Sequence, residues 1–187
     1  MKKFTYVALI FSLLMAATAQ ATEYCCIQVE KSTLDFTYKQ MGVSVNGHFK
    51  KFTAQLNFDP AKVNNAKASF DLDLNSIDAG SDEANDEVVG KEWFNTKVFP
   101  HAKFESTGFK SLGGNRYEVT GKMTIKGRTQ LVSAPFNFNS QANSAIVDGG
   151  FILKRADFAI GEGSWSDFGT VANEIQIKFH FLTSATK

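Results

Sequence analysis

The chain has 187 residues, 43% of them apolar and 13% aromatic, with a formal charge of +1. Beyond a leader-like start it has about the length of one domain. Loss of Lys2 and Lys3 with that leader brings the charge to −1, which excludes an electrostatic basis for binding nucleic acid or acidic lipid.

Residues 1–21 carry the pattern of a cleavable signal peptide. Lys2 and Lys3 give a positive start, Val7 to Ala17 form an apolar run broken only by Ser12, and Ala19-Gln20-Ala21 is an A-x-A site. The run is shorter than the ~20 apolar residues of a membrane span, and no later segment approaches that length. The expected mature protein, residues 22–187, is a single exported domain of the periplasm that does not span the membrane. Cys25 lies four residues past the cut, where no lipoprotein acceptor would be.

Cys25 and Cys26 are the only cysteines and are adjacent. In a strand from Tyr24 to Val29 their side chains would point to opposite faces. Three states stand open: a vicinal disulfide, an intermolecular bridge that makes a homodimer, or one buried and one exposed thiol. Strand geometry favours the last. No third ligand lies at a spacing that would make the pair a metal site.

Five stretches then alternate apolar and polar: Phe52 to Phe58, Ala68 to Leu74, Tyr117 to Ile125, Val132 to Phe138, and Ile175 to Phe181. Successive strand side chains point to opposite faces, so each stretch is a strand with one apolar and one wet face. Many such strands with little helix to cover them must close on themselves or stack as two sheets. Asp59-Pro60-Ala61-Lys62, Gly113-Gly114-Asn115 and Asn139 to Asn143 read as turns.

Ser81 to Gly90 interrupts the pattern. Asp82, Glu83 and Asp86 suit a helix N-terminus, and Gly90 suits its stop, so the segment predicts a helix of about two turns near residues 82–89. Trp93-Phe94 and Val98-Phe99-Pro100 follow as an aromatic cluster on a loop. Such a cluster either plugs one end of a barrel or lids a pocket at its mouth.

Later in the chain, Arg155 and Asp157 share parity with Phe151 and Leu153 and are expected to point inward near a barrel end. They would either pair with each other or meet a lipid head group. Trp165 follows a glycine-loosened loop, as a mouth residue or a surface anchor. His48, His101 and His180 are far apart in the chain and read as solvated residues, not as catalytic or metal groups. Ser164 and Ser166 form no nucleophile elbow, and Asp82, Glu83, Asp86 and Glu87 lack calcium-loop spacing. No catalytic residue and no metal ligand emerges.

Four blocks carry a family resemblance. They are Asn75-Ser76-Ile77-Asp78; Trp93-Phe94-Asn95 with Pro100-His101-Ala102-Lys103-Phe104-Glu105-Ser106; Gly121-Lys122-Met123-Thr124-Ile125-Lys126-Gly127-Arg128-Thr129; and Arg155-Ala156-Asp157-Phe158. In this order and spacing the chain resembles the YceI family of lipocalin-like, polyisoprenoid-binding proteins, from about Val29 to Phe181. The resemblance implies an all-β, eight-stranded antiparallel lipocalin-like barrel with one short helix. It also implies an elongated apolar pocket for a long isoprenoid or other amphiphilic lipid. Many members carry Arg-Asp followed by His-Leu in the helix, where this chain has Ala84-Asn85-Asp86-Glu87-Val88.

An eight-stranded barrel is either filled by its own side chains or holds one small ligand. Ala54, Ala68, Gly121, Ala134 and Gly149 fall between the phenylalanines, either tapering a filled core or outlining a tunnel. With the resemblance added, the tunnel is the expected state. Its walls and mouth would be Phe52, Leu56, Phe70, Leu72, Trp93, Phe94 and Phe99 from the first half of the chain. The second half would add Phe104, Met123, Phe136, Phe138, Phe151, Phe158 and Phe179. The implied function is non-enzymatic: a carrier, store or sensor that needs no obligatory cofactor and binds a quinone or polyprenyl lipid. A membrane redox or lipid-handling partner would load or receive it. The rival readings are an enzyme acting on such a lipid, and a filled barrel working through its surface.

Overall fold

Alternation in the sequence becomes one curled antiparallel sheet in the computed structural model, which describes residues 23–186; the leader expected at residues 1–21 lies outside them. The strands are β1 (Tyr24–Ile27), β2 (Thr33–Gln40), β3 (Val43–Phe49), β4 (Phe52–Asn57), β5 (Lys67–Asp73) and β6 (Ile77–Asp78). After the helix α1 (Asp82–Val88) come β7 (His101–Gly113), β8 (Arg116–Ile125), β9 (Arg128–Ser140), β10 (Ser144–Lys154) and β11 (Glu174–Ala185). Hydrogen-bonded neighbours run β4-β5-β7-β8-β9-β10-β11-β2-β3-β6, with β1 added on β11.

This path returns to its start. β3 runs into β4 across Lys50-Lys51, and β5 into β6 across a 3-10 turn at Leu74–Ser76. The two interrupted strands pair on both sides of the break, at Phe49 with Ile77 and at Phe52 with Leu72. Across the break itself, Lys50 N–H donates to Ser76 O and Asp73 N–H to Lys51 O, both at 3.1 Å. Counted with each interrupted strand taken once, the eleven segments reduce to the expected eight-stranded wall plus β1. Met41-Gly42 and Lys126-Gly127 close the β2–β3 and β8–β9 hairpins with positive φ at both residues, the mirror-image turn that matches strand twist.

β1 stitches β11 to the end of β4, where Tyr24 and Phe58 exchange both backbone hydrogen bonds at 2.9 and 3.0 Å. Within it Cys25 and Cys26 form a vicinal disulfide, contrary to the favoured arrangement of one buried and one exposed thiol. The pairing of β1 slips between Cys25 and Ile27, and Cys26 takes a φ of 56°. A bulge of this kind suspends the alternation that would hold the two side chains on opposite faces. No thiol is then left for an intermolecular bridge.

The barrel is packed at one end. Phe58 is fully buried, with its ring centroid 4.7 Å from Phe138 and 5.0 Å from an edge-on Tyr117. Tyr24, Phe136, Ala145 and Val147 complete this plug. Aromatic contacts of this geometry add about 0.5–1.5 kcal/mol each beyond area burial.

Farther along the wall, phenylalanines rest on glycines. A Cβ on Gly47, Gly121 or Gly149 would collide with the ring tip of Phe36, Phe104 or Phe179 respectively. Gly47 and Gly149 are the direct cross-strand partners of Phe36 and Phe179, whereas Phe104 reaches Gly121 diagonally. Each ring therefore leans along the wall onto the next strand and leaves the lumen clear, an aromatic-over-glycine contact that also pins register. Gly121→Ala should destabilise the fold by about 1–3 kcal/mol, because the new methyl also meets Glu105 O at 2.5 Å. Gly108→Ala, where an added Cβ meets only open space, should stay within about 0.5 kcal/mol of wild type; urea titration of both variants checks the pair.

Candidate functional site: a cavity inside the barrel

Beyond the plug the barrel encloses a cavity of about 530 Å³. Phe70 on β5 and Ile175, Ile177, Phe179 and Phe181 on β11 point inward yet are only partly buried, because they face this space and not a packed core. The cavity reaches solvent beside α1, where its lining residues Gln40, Ser81, Glu83 and Glu87 are exposed; Gln55 on β4 is its other exposed wall residue.

The structure brings most of the expected wall together. Leu56, Phe70, Leu72, Trp93 and Phe94 line the cavity, as do Phe104, Met123, Phe136, Phe151 and Phe179. Four expected residues do not. Phe52 is packed in the core, stacked on Phe70 at 5.1 Å and 5.7 Å from Phe181. Phe138 belongs to the plug, and Phe158 is packed in the core at 2% exposure. Phe99 sits against the Lys126-Gly127 turn, near the Gly127 Cα. Phe52, Phe138 and Phe158 are apolar and inward but occupy layers that have no free space, whereas Phe99 is a part-buried loop residue outside the barrel strands.

Sequence reasoning passed over Leu34, Phe36 and Tyr38 on β2, which line the cavity and share one parity. The same period-two reading would have found them. It also left Glu83 and Glu87 unassigned, though their i, i+4 spacing puts them on one helix face together with Ala84 and Val88, and all four line the cavity.

The mouth is built from α1 and two loops. Ser81 caps the helix by accepting from Ala84 N–H, and Asn85 Oδ1 accepts from Ala79 N–H at 2.6 Å. Tyr38 donates its hydroxyl to Ala79 O at 2.9 Å, tying the helix entry to β2; burial raises its pKa. Hydrogen bonds from its own backbone N–H and from Ser81 hold the Glu83 carboxyl below its ordinary pKa. Glu87 Oε1 accepts from Trp165 Nε1 at 2.8 Å, and the Trp165 ring lies 5.4 Å from that of Trp93. Glu92 O accepts from both Gly161 and Glu162 N–H at 2.8 Å, joining the loop after α1 to the loop before β11. Lys126 Nζ reinforces the junction through Ala159 O at 2.6 Å and Glu162 Oε2 at 2.9 Å, which lowers the Glu162 pKa.

Arg155 organises the second loop. It is 1% exposed and makes no contact with a carboxylate. Nη1 donates to Ile160 O and Gly161 O, Nη2 to Trp165 O and Val171 O, and Nε is shared by Val171 O and Ala172 O. Its five N–H groups are thus all engaged by backbone carbonyls. The guanidinium also lies 5.6 Å from the Trp93 ring centre and 5.0 Å from that of Phe168. Burial lowers its pKa, with Asp167 opposing the shift.

Asp157 is exposed on the outside, so the expected inward pair with Arg155 does not form. A 3-10 turn over Arg155–Phe158 ends the strand at Lys154, and strand parity does not carry past it. His101 and His180 lie on the outer surface, each with Nδ1 2.6 Å from a cross-strand aspartate, Asp71 and Asp148 respectively. Among the described residues, no group of three or more His, Cys, Asp or Glu side chains gathers as a metal site. No helix among them is long and apolar enough to cross a membrane.

The YceI-like domain family matches the chain over residues 26–182. A UPF0312 protein of Pseudomonas putida is 32% identical over 145 residues, 75% of this chain and 74% of that one. Among solved structures, BcnA of Burkholderia cenocepacia is similar with a TM-score of 0.82 at 42% identity, covering 84% of this chain and 99% of that chain. A polyisoprenoid binding domain from Saccharophagus degradans gives a TM-score of 0.66 at 16% identity, over 89% of this chain and 99% of that one. At that identity the likeness is one of fold.

Arg155→Lys offers at most three donors to carbonyls that now share five. It should lower unfolding stability by about 3 kcal/mol in chemical denaturation, since each orphaned buried carbonyl is costly. Asp157→Asn, on the exposed side of the turn, should change stability by less than about 0.5 kcal/mol.

Proposed function

We propose that this chain, which belongs to the YceI-like family, holds a long-chain isoprenoid or similar amphiphilic lipid inside its barrel and shields it from water. The observation that carries the proposal is the cavity of about 530 Å³, whose wall is almost wholly aliphatic and aromatic. A wall of this kind has little with which to polarise a bond, and much with which to remove an apolar chain from water. The polyisoprenoid binding domain of Saccharophagus degradans, similar in fold, supports the same ligand class. The role is one of binding without catalysis. Export to the periplasm, proposed from the leader, would place the barrel where lipids must cross water between two membranes.

Affinity follows from the same surface. Burying roughly 400 Å² of apolar ligand at about 25 cal/mol/Å² gives on the order of 10 kcal/mol gross. Ordering a flexible chain and losing its free motion return much of this, so micromolar or somewhat tighter binding is expected. Tail length and branching should then govern selection more than any polar contact deep in the lumen.

Native mass spectrometry of protein purified from the periplasm, followed by organic extraction, tests the proposal directly. A stoichiometric long-chain isoprenoid or related amphiphile is the expected result. A clean apo mass, with no uptake when quinones, polyprenols and fatty amphiphiles are offered, would overturn it. Ala134→Phe puts a ring into the lumen from a buried wall position and should reduce uptake at least several-fold while the barrel stays folded.

A further inference from the structure

One residue of the cavity wall carries a buried donor without an acceptor. Trp93 lines the cavity at 8% exposure, and among the described residues its Nε1 is the one buried side-chain polar atom with no hydrogen-bond partner. Its neighbour Trp165 shows the contrast, with Nε1 donating to Glu87 at 2.8 Å. Buried donors are kept unpaired at a cost, and each one in a native protein calls for a physical explanation. The Arg155 guanidinium, 5.6 Å from the Trp93 ring centre, draws π-electron density toward itself and makes the indole N–H a stronger donor.

Charge at the mouth narrows what can meet that donor. Glu83 and Glu87 stand exposed on the cavity wall, and hydrogen bonding favours the ionised form of Glu83. Arg155 is the one cationic residue among the described lining residues, and backbone carbonyls occupy all of its N–H groups. A phosphate or diphosphate entering here would face two carboxylates and find no free cation. An uncharged oxygen acceptor would meet no such repulsion and would satisfy Trp93.

Resting on the lipid-binding reading above, we propose that Trp93 is the head-group contact of the cavity. Its ligand carries an uncharged carbonyl, of the ketone, quinone or ester class, that accepts from Trp93 Nε1. Glu83 and Glu87 set specificity by rejecting phosphorylated heads. The N–H is out of reach of water, so binding requires the indole to turn toward the lumen as the ligand's carbonyl arrives.

Three probes with matched tails test this: a tetraprenyl methyl ketone, a tetraprenyl monophosphate and the tetraprenyl hydrocarbon without a head group, each titrated calorimetrically in detergent. The native protein should favour the ketone over the monophosphate by at least about tenfold. Trp93→Phe should weaken the ketone by about tenfold and the hydrocarbon by less than about twofold. Glu83→Gln combined with Glu87→Gln should raise affinity for the monophosphate and leave the ketone the less affected of the two. In the native protein, ketone binding should move the Trp93 indole N–H resonance downfield, with Trp165→Phe providing the assignment; this readout stands even if Trp93→Phe fails to fold. An unmoved resonance, equal losses for ketone and hydrocarbon, or a monophosphate bound as tightly as the ketone overturns the head-group assignment while leaving the lipid-binding barrel intact. If none of the three probes binds the native protein, the lipid-binding reading itself falls.

Discussion

Phe36, Phe104 and Phe179 each lean onto a glycine of a neighbouring strand, and the open lumen depends on that contact. A barrel of this size has room for either rings across its middle or a ligand, and not for both. The lack of a Cβ at Gly47, Gly121 and Gly149 gives each ring a place in the wall. The same contacts fix strand register, so the feature that keeps the interior empty also keeps the sheet in order. At the plug no such glycine is provided, and Phe58, Tyr117 and Phe138 close on one another.

The opposite end solves a different problem. Long loops before and after the mouth expose backbone carbonyls that no strand partner can satisfy. Arg155 gathers the carbonyls of Ile160, Gly161, Trp165, Val171 and Ala172 around one buried cation, using charge-assisted bonds where a sheet would use amides. With the guanidinium committed to the backbone, the loop carrying Trp165 is held against α1, and Glu87 and Trp165 meet across the entrance. Polar chemistry at the mouth is therefore left to Gln40, Ser81, Glu83, Glu87 and the unpaired indole.

Period two carried most of the fold in the sequence. Phe52 to Phe58, Ala68 to Leu74 and Tyr117 to Ile125 all fall in or at the ends of strands with the expected face inward, and the segment from Ser81 to Gly90 holds the helix. Parity gives direction but not depth, which is why Phe52 and Phe138 look identical to Phe70 and Phe136 in the sequence although they occupy packed layers. Parity also ends where a strand ends: the 3-10 turn at Arg155 separates it from Asp157, and no pattern of apolar letters signals that turn. The disulfide was hidden for a related reason, because a bulge between Cys25 and Ile27 is a pairing event and leaves no mark in composition. Carbonyl ligation of an arginine is equally silent, since backbone acceptors are present at every residue.

Because the plug seals the far end of the lumen, the cavity is a blind tube with its main opening beside α1. A chain seated with its head at that opening must have threaded in tail first and must leave in the reverse order. Each methylene that still finds apolar wall adds about 0.8 kcal/mol to the work of withdrawal, so residence time lengthens roughly fourfold per carbon. That growth stops when the tail reaches the ring of Phe136 at the floor. On the proposed lipid binding, the barrel would act as a ruler: departure would slow with tail length up to a fixed depth, and beyond it a longer chain would leave its excess in solvent and be held no longer.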